Sequence, residues 1–175
     1  MIDQKQIESV IIPKLQEYLG CPVILANQHS PSPKYPYVSF TVANLIQTNN
    51  GTYGTETYGE FYKPVRQSWS FTVQSDNDDQ CNEITLKLYD WFSLVGVTYL
   101  ADNEISIERL ENISNRDNLI TIQYEYRRGF DVILVLMDKI THEFETIETV
   151  ELDKRNISGD DLIEVIDELL GVTHE

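Results

Sequence analysis

The sequence has few cysteines, no long apolar run and no leader-like N-terminus. Its two cysteines, Cys21 and Cys81, are too few for a disulfide framework and have no metal-ligand spacing, so we expect two buried, reduced thiols. No stretch approaches the roughly 18–20 continuous apolar residues that a membrane-spanning helix needs. Residues 1–5 lack the basic and apolar regions of a signal peptide. These features predict a protein that is made in the cytosol and does not bind a membrane.

Basic residues are also scarce. The 175 residues include 13 lysines and arginines against 29 aspartates and glutamates, which gives a formal net charge of -16. Such a chain is repelled by phosphate backbones, which argues against specific nucleic-acid binding, although it can still contact a basic protein surface. The hydrophobic fraction of 41% is ordinary, so the composition predicts a folded globular chain rather than a disordered one.

Known catalytic motifs are missing from the sequence. It contains no glycine-rich phosphate loop, no nucleophile elbow and no His-x-x-x-His pair, and its three histidines are widely separated. The acidic run Asp76–Asp79 lacks the glycine and the distal glutamate of a calcium loop, so a helix N-terminus is the better interpretation. We therefore expect no enzyme, no bound metal and no cofactor.

The hydrophobic pattern predicts an α+β fold, a mixed or antiparallel β-sheet packed against two helices. The first helix is expected over Asp3–Leu19, where Pro13 should kink or divide it. The second should be capped by Ser75 or Asp76 and end at Gly96. Strands are expected at Pro22–Ala26, Tyr35–Ile46, Arg66–Ser75, Val97–Leu100, around Ile105 and Ile107, and at Leu119–Met137, with a bend or bulge at Gly129.

The composition changes near residue 140. We expect an α+β domain over residues 1–140 and an acidic C-terminal extension over residues 141–175, which carries 11 acidic and two basic residues. The extension ends in an amphipathic helix signature with Ser158 as its cap. This helix either returns to the domain's core or docks on a partner, through the apolar residues Leu162, Ile166 and Leu169.

Two further segments are candidates for contact with a partner. Asn49–Lys63 interleaves three glycines with aromatic residues, which indicates either a surface loop or a segment that orders against a partner; its candidate contacts are Tyr53, Tyr58, Phe61 and Tyr62. Arg127 and Arg128 are adjacent on a predicted strand and so point to opposite faces. They predict either an intramolecular ion pair or a subunit interface.

Three stretches carry a resemblance to a known family. They are Tyr35–Thr41, then Arg66–Ser75 with the helix that ends at Leu88–Phe92, and finally Asn115–Asp117 followed by Tyr124–Asp131. Together they resemble the phage neck or tail-terminator (collar) proteins of tailed phages and phage-tail-like bacteriocins. The resemblance covers roughly residues 7–139, and the acidic extension is a departure from the usual family pattern.

The resemblance implies a structural function. Such proteins close into rings, usually hexamers, on the head-proximal end of the tail tube, where they stop polymerisation and meet the head connector or, in contractile tails, the sheath. The implied partners are other copies of the chain, the tube protein, and sheath or head-connector proteins, in a virion or tail-like particle assembled in the host cytoplasm. Alternatives are another virion part, such as a tube or head-completion protein, and a small-ligand-binding or regulatory domain.

Overall fold

A computed structural model describes residues 2–27, 31–47, 60–120 and 123–141. The three α-helices in these ranges are α1 (Gln4–Leu19), α2 (Asp78–Asp90) and α3 (Val97–Asp102), and a π-helical turn, Trp91–Val95, joins α2 to α3. The strands are β1 (Val23–Leu25), β2 (Tyr37–Gln47), β3 (Glu60–Ser75), β4 (Ile105–Leu110), β5 (Ser114–Asn115), β6 (Asn118–Ile120) and β7 (Gln123–Thr141). The acidic extension lies outside the described residues.

The strands form one mixed sheet in the order β1-β2-β3-β7-β4, with the short β5 and β6 also paired to β7. β1 runs parallel to β2, and the other pairings are antiparallel. The predicted α+β class with a mixed sheet is therefore confirmed. The predicted strand over Leu119–Met137 is in fact a hairpin followed by a long strand, because β6 folds back on the start of β7.

β3 pairs with β7 along its whole length. Glu60 faces Thr141 at one end and Ser75 faces Tyr126 at the other, without a register shift between them. At about 3.3 Å per residue this ladder is roughly 50 Å long. Since side chains alternate between faces, Trp69 and Phe71 point to one face and Ser70 and Thr72 to the other.

Helices cover the apolar face of the sheet. α1 buries Ile7, Ile11, Leu15 and Leu19, four residues apart and so on one stripe. The rings of Phe71 and Phe92 lie 5.0 Å apart, and Phe40 stacks on Trp69 at 5.5 Å. Cys21 and Cys81 are free and buried in this core, as predicted, and burial raises the pKa of both thiols.

Two details of the helices differ from the sequence prediction. Val97–Leu100 is the start of α3 and not a strand. A short apolar run does not distinguish the two by periodicity, and here the Leu100 amide donates to the Gly96 carbonyl at 2.9 Å while the Leu100 side chain is fully buried. The cap of α2 is Asn77, whose Oδ1 accepts from the Gln80 amide at 2.9 Å, rather than Ser75 or Asp76.

Pro13 does not divide the first helix. α1 is one element from Gln4 to Leu19 with Pro13 inside it, and Gly20 ends it with a φ of 70°, as the sequence predicts. Pro13 lies on the exposed side of the helix, and the buried stripe on the other side anchors the helix to the core. None of the helices in the described ranges is long and apolar enough to cross a membrane.

Replacing Pro13 with alanine should stabilise the protein. The change restores a backbone donor inside α1 and removes the clash of the ring with the preceding turn, and the exposed position loses no packing. We expect the free energy of unfolding to rise by about 1–3 kcal/mol in urea titrations. Lys14→Ala, at the neighbouring exposed position, is the control and should change it by less than about 0.5 kcal/mol. Equal effects of the two changes would contradict this account.

Candidate functional site

The face of the sheet opposite the helices is polar where β2 and β3 pair. Hydroxyl groups follow one another across its central strands, with Ser39 opposite Thr72 and Thr41 opposite Ser70. Arginines from β3, β4, β7 and the β5–β6 connection lie over the same face and pair with acidic residues; these pairs are Arg66–Glu108, Arg109–Glu111, Arg116–Asp131 and Arg127–Glu125. We call this surface the open face.

Arg116 lies across the open face and contacts two strands, and we call this side chain the strap. Its backbone amide donates to the Arg127 carbonyl at 2.8 Å. Its guanidinium donates to Ser70 Oγ at 2.9 Å and to Thr72 Oγ1 at 2.8 Å, and pairs with Asp131 at 3.0 Å. A planar guanidinium with five donors suits such a set of converging oxygens. Arg116 therefore connects β3 with β7 through side chains on the open face.

Gly129 makes room for this strap. A Cβ at this position would collide with the Phe71 carbonyl oxygen and lie 2.8 Å from Arg116 Nη1, which is closer than such atoms approach. β7 passes through Gly129 with its pairing to β3 unbroken, so a bulge in this ladder, one of the two predicted arrangements, is wrong. The glycine allows the close approach of another group to the backbone.

Asp117 and Arg128 form the centre of an ionic network at one end of the sheet. Arg128, whose side chain is 17% exposed, pairs with Asp117 and, at 2.8 Å, with Asp78 in the first turn of α2. Burial favours the protonated form of Asp117, but hydrogen bonds from the Arg127 amide and the Asn115 side chain, together with Arg128, outweigh it and lower the pKa of this carboxyl. The network ties α2 and the β5–β6 connection to β7.

Arg127 belongs to a second, neighbouring network on the open face. It pairs with Glu125, which is almost fully buried. The Tyr35 hydroxyl donates to the same carboxylate at 2.7 Å. Burial and this hydrogen bond raise the pKa of Tyr35 to about 12. Tyr35 also stacks on Tyr37 at 5.7 Å between ring centroids, so the segment before β2 is fixed to β7 through a single carboxylate.

Next to Arg127 the open face contains a polar hollow of about 390 Å³. Its lining includes hydroxyl groups of β2 and β3, the amide of Gln74, and the guanidinium groups of Arg116 and Arg127. The Gln74 side chain is 7% exposed. Its Nε2 donates to Ser39 Oγ at 2.9 Å, while its Oε1 accepts no hydrogen bond from any residue that the structure describes.

The predicted contact residues are distributed over both ends of the sheet. Tyr62 is half-exposed, with Lys139 Nζ 5.5 Å from its ring centroid, about 40 Å along β3 from Gln74 and Arg127. Arg127 and Arg128 lie at the other end and form intramolecular ion pairs, one of the two predicted arrangements. The remaining predicted contacts, or their side chains, lie outside the described part of the chain: Tyr53, Tyr58, Phe61, Leu162, Ile166 and Leu169.

Sequence reasoning missed the strap and the hollow. Residues 115–118 carry the signal of a turn, and nothing in the turn itself shows that Arg116 returns over the sheet. A usable signal was present in the alternation of hydroxyl residues on two strands, Ser39 with Thr41 and Ser70 with Thr72, because it marks this part of the face as polar. In the described ranges, no three His, Cys, Asp or Glu side chains are grouped so that they could hold a metal ion.

Asp117→Asn should destabilise the protein in a pH-dependent way. The variant keeps the shape but loses the charge that pairs with Arg128, so we expect a loss of about 2 kcal/mol at pH 7 in urea unfolding. A carboxyl with a lowered pKa stabilises the fold above its unfolded-state pKa and loses this effect as the pH falls. The difference from the parent should therefore be constant from pH 8 to pH 5 and shrink below about pH 4.

The exposed pair Arg109–Glu111 provides the control for this prediction. Glu111→Gln removes the same charge from a pair that water screens, so its cost should be below about 0.5 kcal/mol at every pH. A pH-independent cost for Asp117→Asn, or one no larger than that of Glu111→Gln, would show that the network does not stabilise the fold.

Gly129→Ala should lower the free energy of unfolding more than a substitution at a glycine with free space around it. The new methyl collides with the Phe71 carbonyl and with Arg116, so we expect a loss of about 2–3 kcal/mol. Gly20 has a φ of 70°, and a Cβ added there would have no other atom within 4 Å. Gly20→Asn should cost about 1 kcal/mol or less because asparagine tolerates this conformation. Thermal unfolding of the two variants checks this, and the melting temperature of Gly129→Ala should be the lower of the two.

Comparison with known proteins agrees with the resemblance seen in the three sequence stretches. A family model described as phage neck terminator protein matches residues 9–160. No curated protein matches the sequence. Among solved structures, one chain with 10% sequence identity aligns with 83% of this chain and 100% of its own length, with a TM-score of 0.43. Since the family model covers most of the sequence, the chain belongs to the phage neck terminator protein family and has a structural role in the phage neck.

Proposed function

We propose that the chain is a tail terminator or collar subunit that closes into a ring, with six protomers as the expected number. The ring caps the head-proximal end of the tail tube and, in a contractile tail, of the sheath. It stops polymerisation there and, in phages, joins the tail to the head. The observation that carries this proposal is the match of the neck terminator family over residues 9–160.

The distribution of the predicted contacts supports a ring. A closed ring of identical subunits uses a head-to-tail interface, in which two different patches of each protomer meet. Tyr62 lies toward one end of the long β3–β7 ladder, shortly after residues 48–59 in the sequence, whereas Arg127 and Arg128 lie at its other end. One protomer thus offers two separate patches of unlike chemistry, one rich in tyrosine and glycine and the other rich in arginine and hydroxyl groups.

The charge of the chain suits a neck through which nucleic acid passes. With a formal net charge of -16, the protomer repels the phosphate backbone. DNA would cross such a ring without adhering to its wall. The same negative charge would favour contact with basic surfaces of the tube, sheath or connector proteins, which are the partners that this function requires.

The proposal is tested by the mass of the purified protein in solution, alone and after mixing with its tail tube, and by electron microscopy of the tube ends. A closed ring near six protomers, or one ring on one end of each tube, is the expected result. Open-ended polymers would instead indicate a tube protein. A protein that stays monomeric and never marks a tube end would contradict the proposal and favour the small-ligand-binding alternative.

A pair of half-exposed tyrosines allows a matched test of the interface. Tyr62 and Tyr18 are 36% and 41% exposed, the first on β3 and the second on α1. Tyrosines at interface centres contribute strongly to binding, so Tyr62→Ser should lower the fraction of capped tube ends by about tenfold at limiting protein concentration. Tyr18→Ser should leave this fraction unchanged. If the two variants cap equally well, the patch around Tyr62 is not the contact.

A further inference from the structure

We infer that the polar hollow on the open face receives residues 48–59 of a neighbouring copy of the chain. The inference rests on the proposed ring and names the contact between its subunits. Four observations carry it: an unsatisfied buried amide, the charge balance of the hollow, the composition of the segment, and the distance that the segment can span.

The hollow contains a hydrogen-bonding group that needs a partner. One end of the buried Gln74 amide is bonded to Ser39, and the other end has no partner among the described residues. An unpaired buried polar group is costly, so this site favours a ligand with hydrogen-bonding capacity. A peptide group both donates and accepts, and therefore satisfies the free end of the amide whichever way the amide is turned.

The hollow is polar, and the positive charge of each of its two arginines is balanced by an acidic partner. Arg116 is paired with Asp131, and Arg127 is paired with Glu125. A carboxylate or phosphate ligand would have to compete with these internal acids, whereas an uncharged ligand leaves both pairs intact. Arg127 uses Nε and Nη2 for Glu125, so its Nη1 remains as a donor for a carbonyl group. Charge and hydrogen bonding both favour a neutral peptide segment.

Residues 48–59 have the composition that such a site accepts. The segment contains a single charged residue, Glu56, and its three glycines leave the backbone accessible to a partner. Its other residues are threonine, asparagine and tyrosine, which donate and accept hydrogen bonds. The other long segment outside the described residues, 142–175, carries 11 acidic and two basic residues and does not match a charge-balanced hollow.

The segment cannot reach Gln74, at the far side of the hollow, in its own copy. It joins Gln47, which lies opposite Arg66, to Glu60 at the far end of β3. A path to Gln74 would run about 26 Å from Gln47 and about 46 Å back to Glu60 at strand spacing. The thirteen residue steps between Gln47 and Glu60 span at most about 45 Å when fully extended. Contact between the segment and Gln74 therefore requires two copies.

The test places a photo-crosslinking amino acid, p-benzoylphenylalanine, at Thr41, an exposed residue on the rim of the hollow. The full chain is assembled from an equal mixture of isotope-labelled and unlabelled protein, irradiated, digested and analysed by mass spectrometry. The expected adduct joins the peptide containing position 41 to residues 48–59, with one label state from each copy. The same amino acid at Tyr18, exposed on α1, should give no adduct with this segment.

Two glutamines of β3 supply matched variants for the same experiment. Gln74→Met removes the amide from the hollow and should lower the adduct yield by about fivefold. Gln67 is also buried on β3 but faces the helices, where it bonds to Gln4 and Trp69. Gln67→Met should lower the melting temperature without lowering the adduct yield. Since the mapping at Thr41 uses the otherwise unchanged chain, it remains decisive even if either methionine variant fails to fold.

The outcomes separate this inference from the proposed function. Rings that form and cap tubes, but give no adduct at Thr41 or an adduct only with another segment or another protein, overturn the inference and leave the ring intact. Adducts found only within one copy show that the segment contacts its own sheet, and they overturn the inference as well. A chain that stays monomeric contradicts both the proposed ring and this contact. An inter-copy adduct with residues 48–59 that falls with Gln74→Met and not with Gln67→Met establishes the contact.

Discussion

The uninterrupted pairing of β3 with β7 is the constraint on which the rest of the molecule depends. A single register over Glu60–Ser75 and Tyr126–Thr141 places the apolar side chains of the sheet's centre on the helix side and its hydroxyls on the open face. A slip by one residue would exchange these faces. The core, the strap and the hollow all derive from this one register, and the two ends of the ladder are far enough apart to serve as separate contact patches.

Arginine has a mainly internal role in this acidic protein. Each of the five arginines in the described residues pairs with a carboxylate of the same chain. Arg116 and Arg128 also bridge elements that are distant in sequence, since Arg128 connects α2 with β7 and Arg116 connects β3 with β7. The excess acidic residues therefore dominate the outer field of the protomer. This arrangement suits a structural subunit whose partners are proteins.

Much of the fold could be predicted from periodicity, and the site could be predicted only in part. Alternation located β2 and β3, and the helical stripe located α1, because those signals depend on neighbours in sequence. α3 was missed because Val97–Leu100 is too short for its period to show. The role of Gly129 was missed for a different reason: the two groups that leave no room for a side chain there, the Phe71 carbonyl and Arg116, appear in no local pattern. The hollow depends on Gln74 and the strap together, and only the tertiary register brings them to one place.

The absence of a side chain at Gly129 has a consequence for how this family can vary. The strap fits because residue 129 presents bare backbone to the guanidinium of Arg116. A side chain at position 129 would collide with the Phe71 carbonyl oxygen as well as with the Arg116 guanidinium, so a lineage that replaced Arg116 by a short residue would still need glycine there. The dependence thus runs one way across related phages: the arginine at 116 requires the glycine at 129, whereas the glycine should persist where the arginine has been lost.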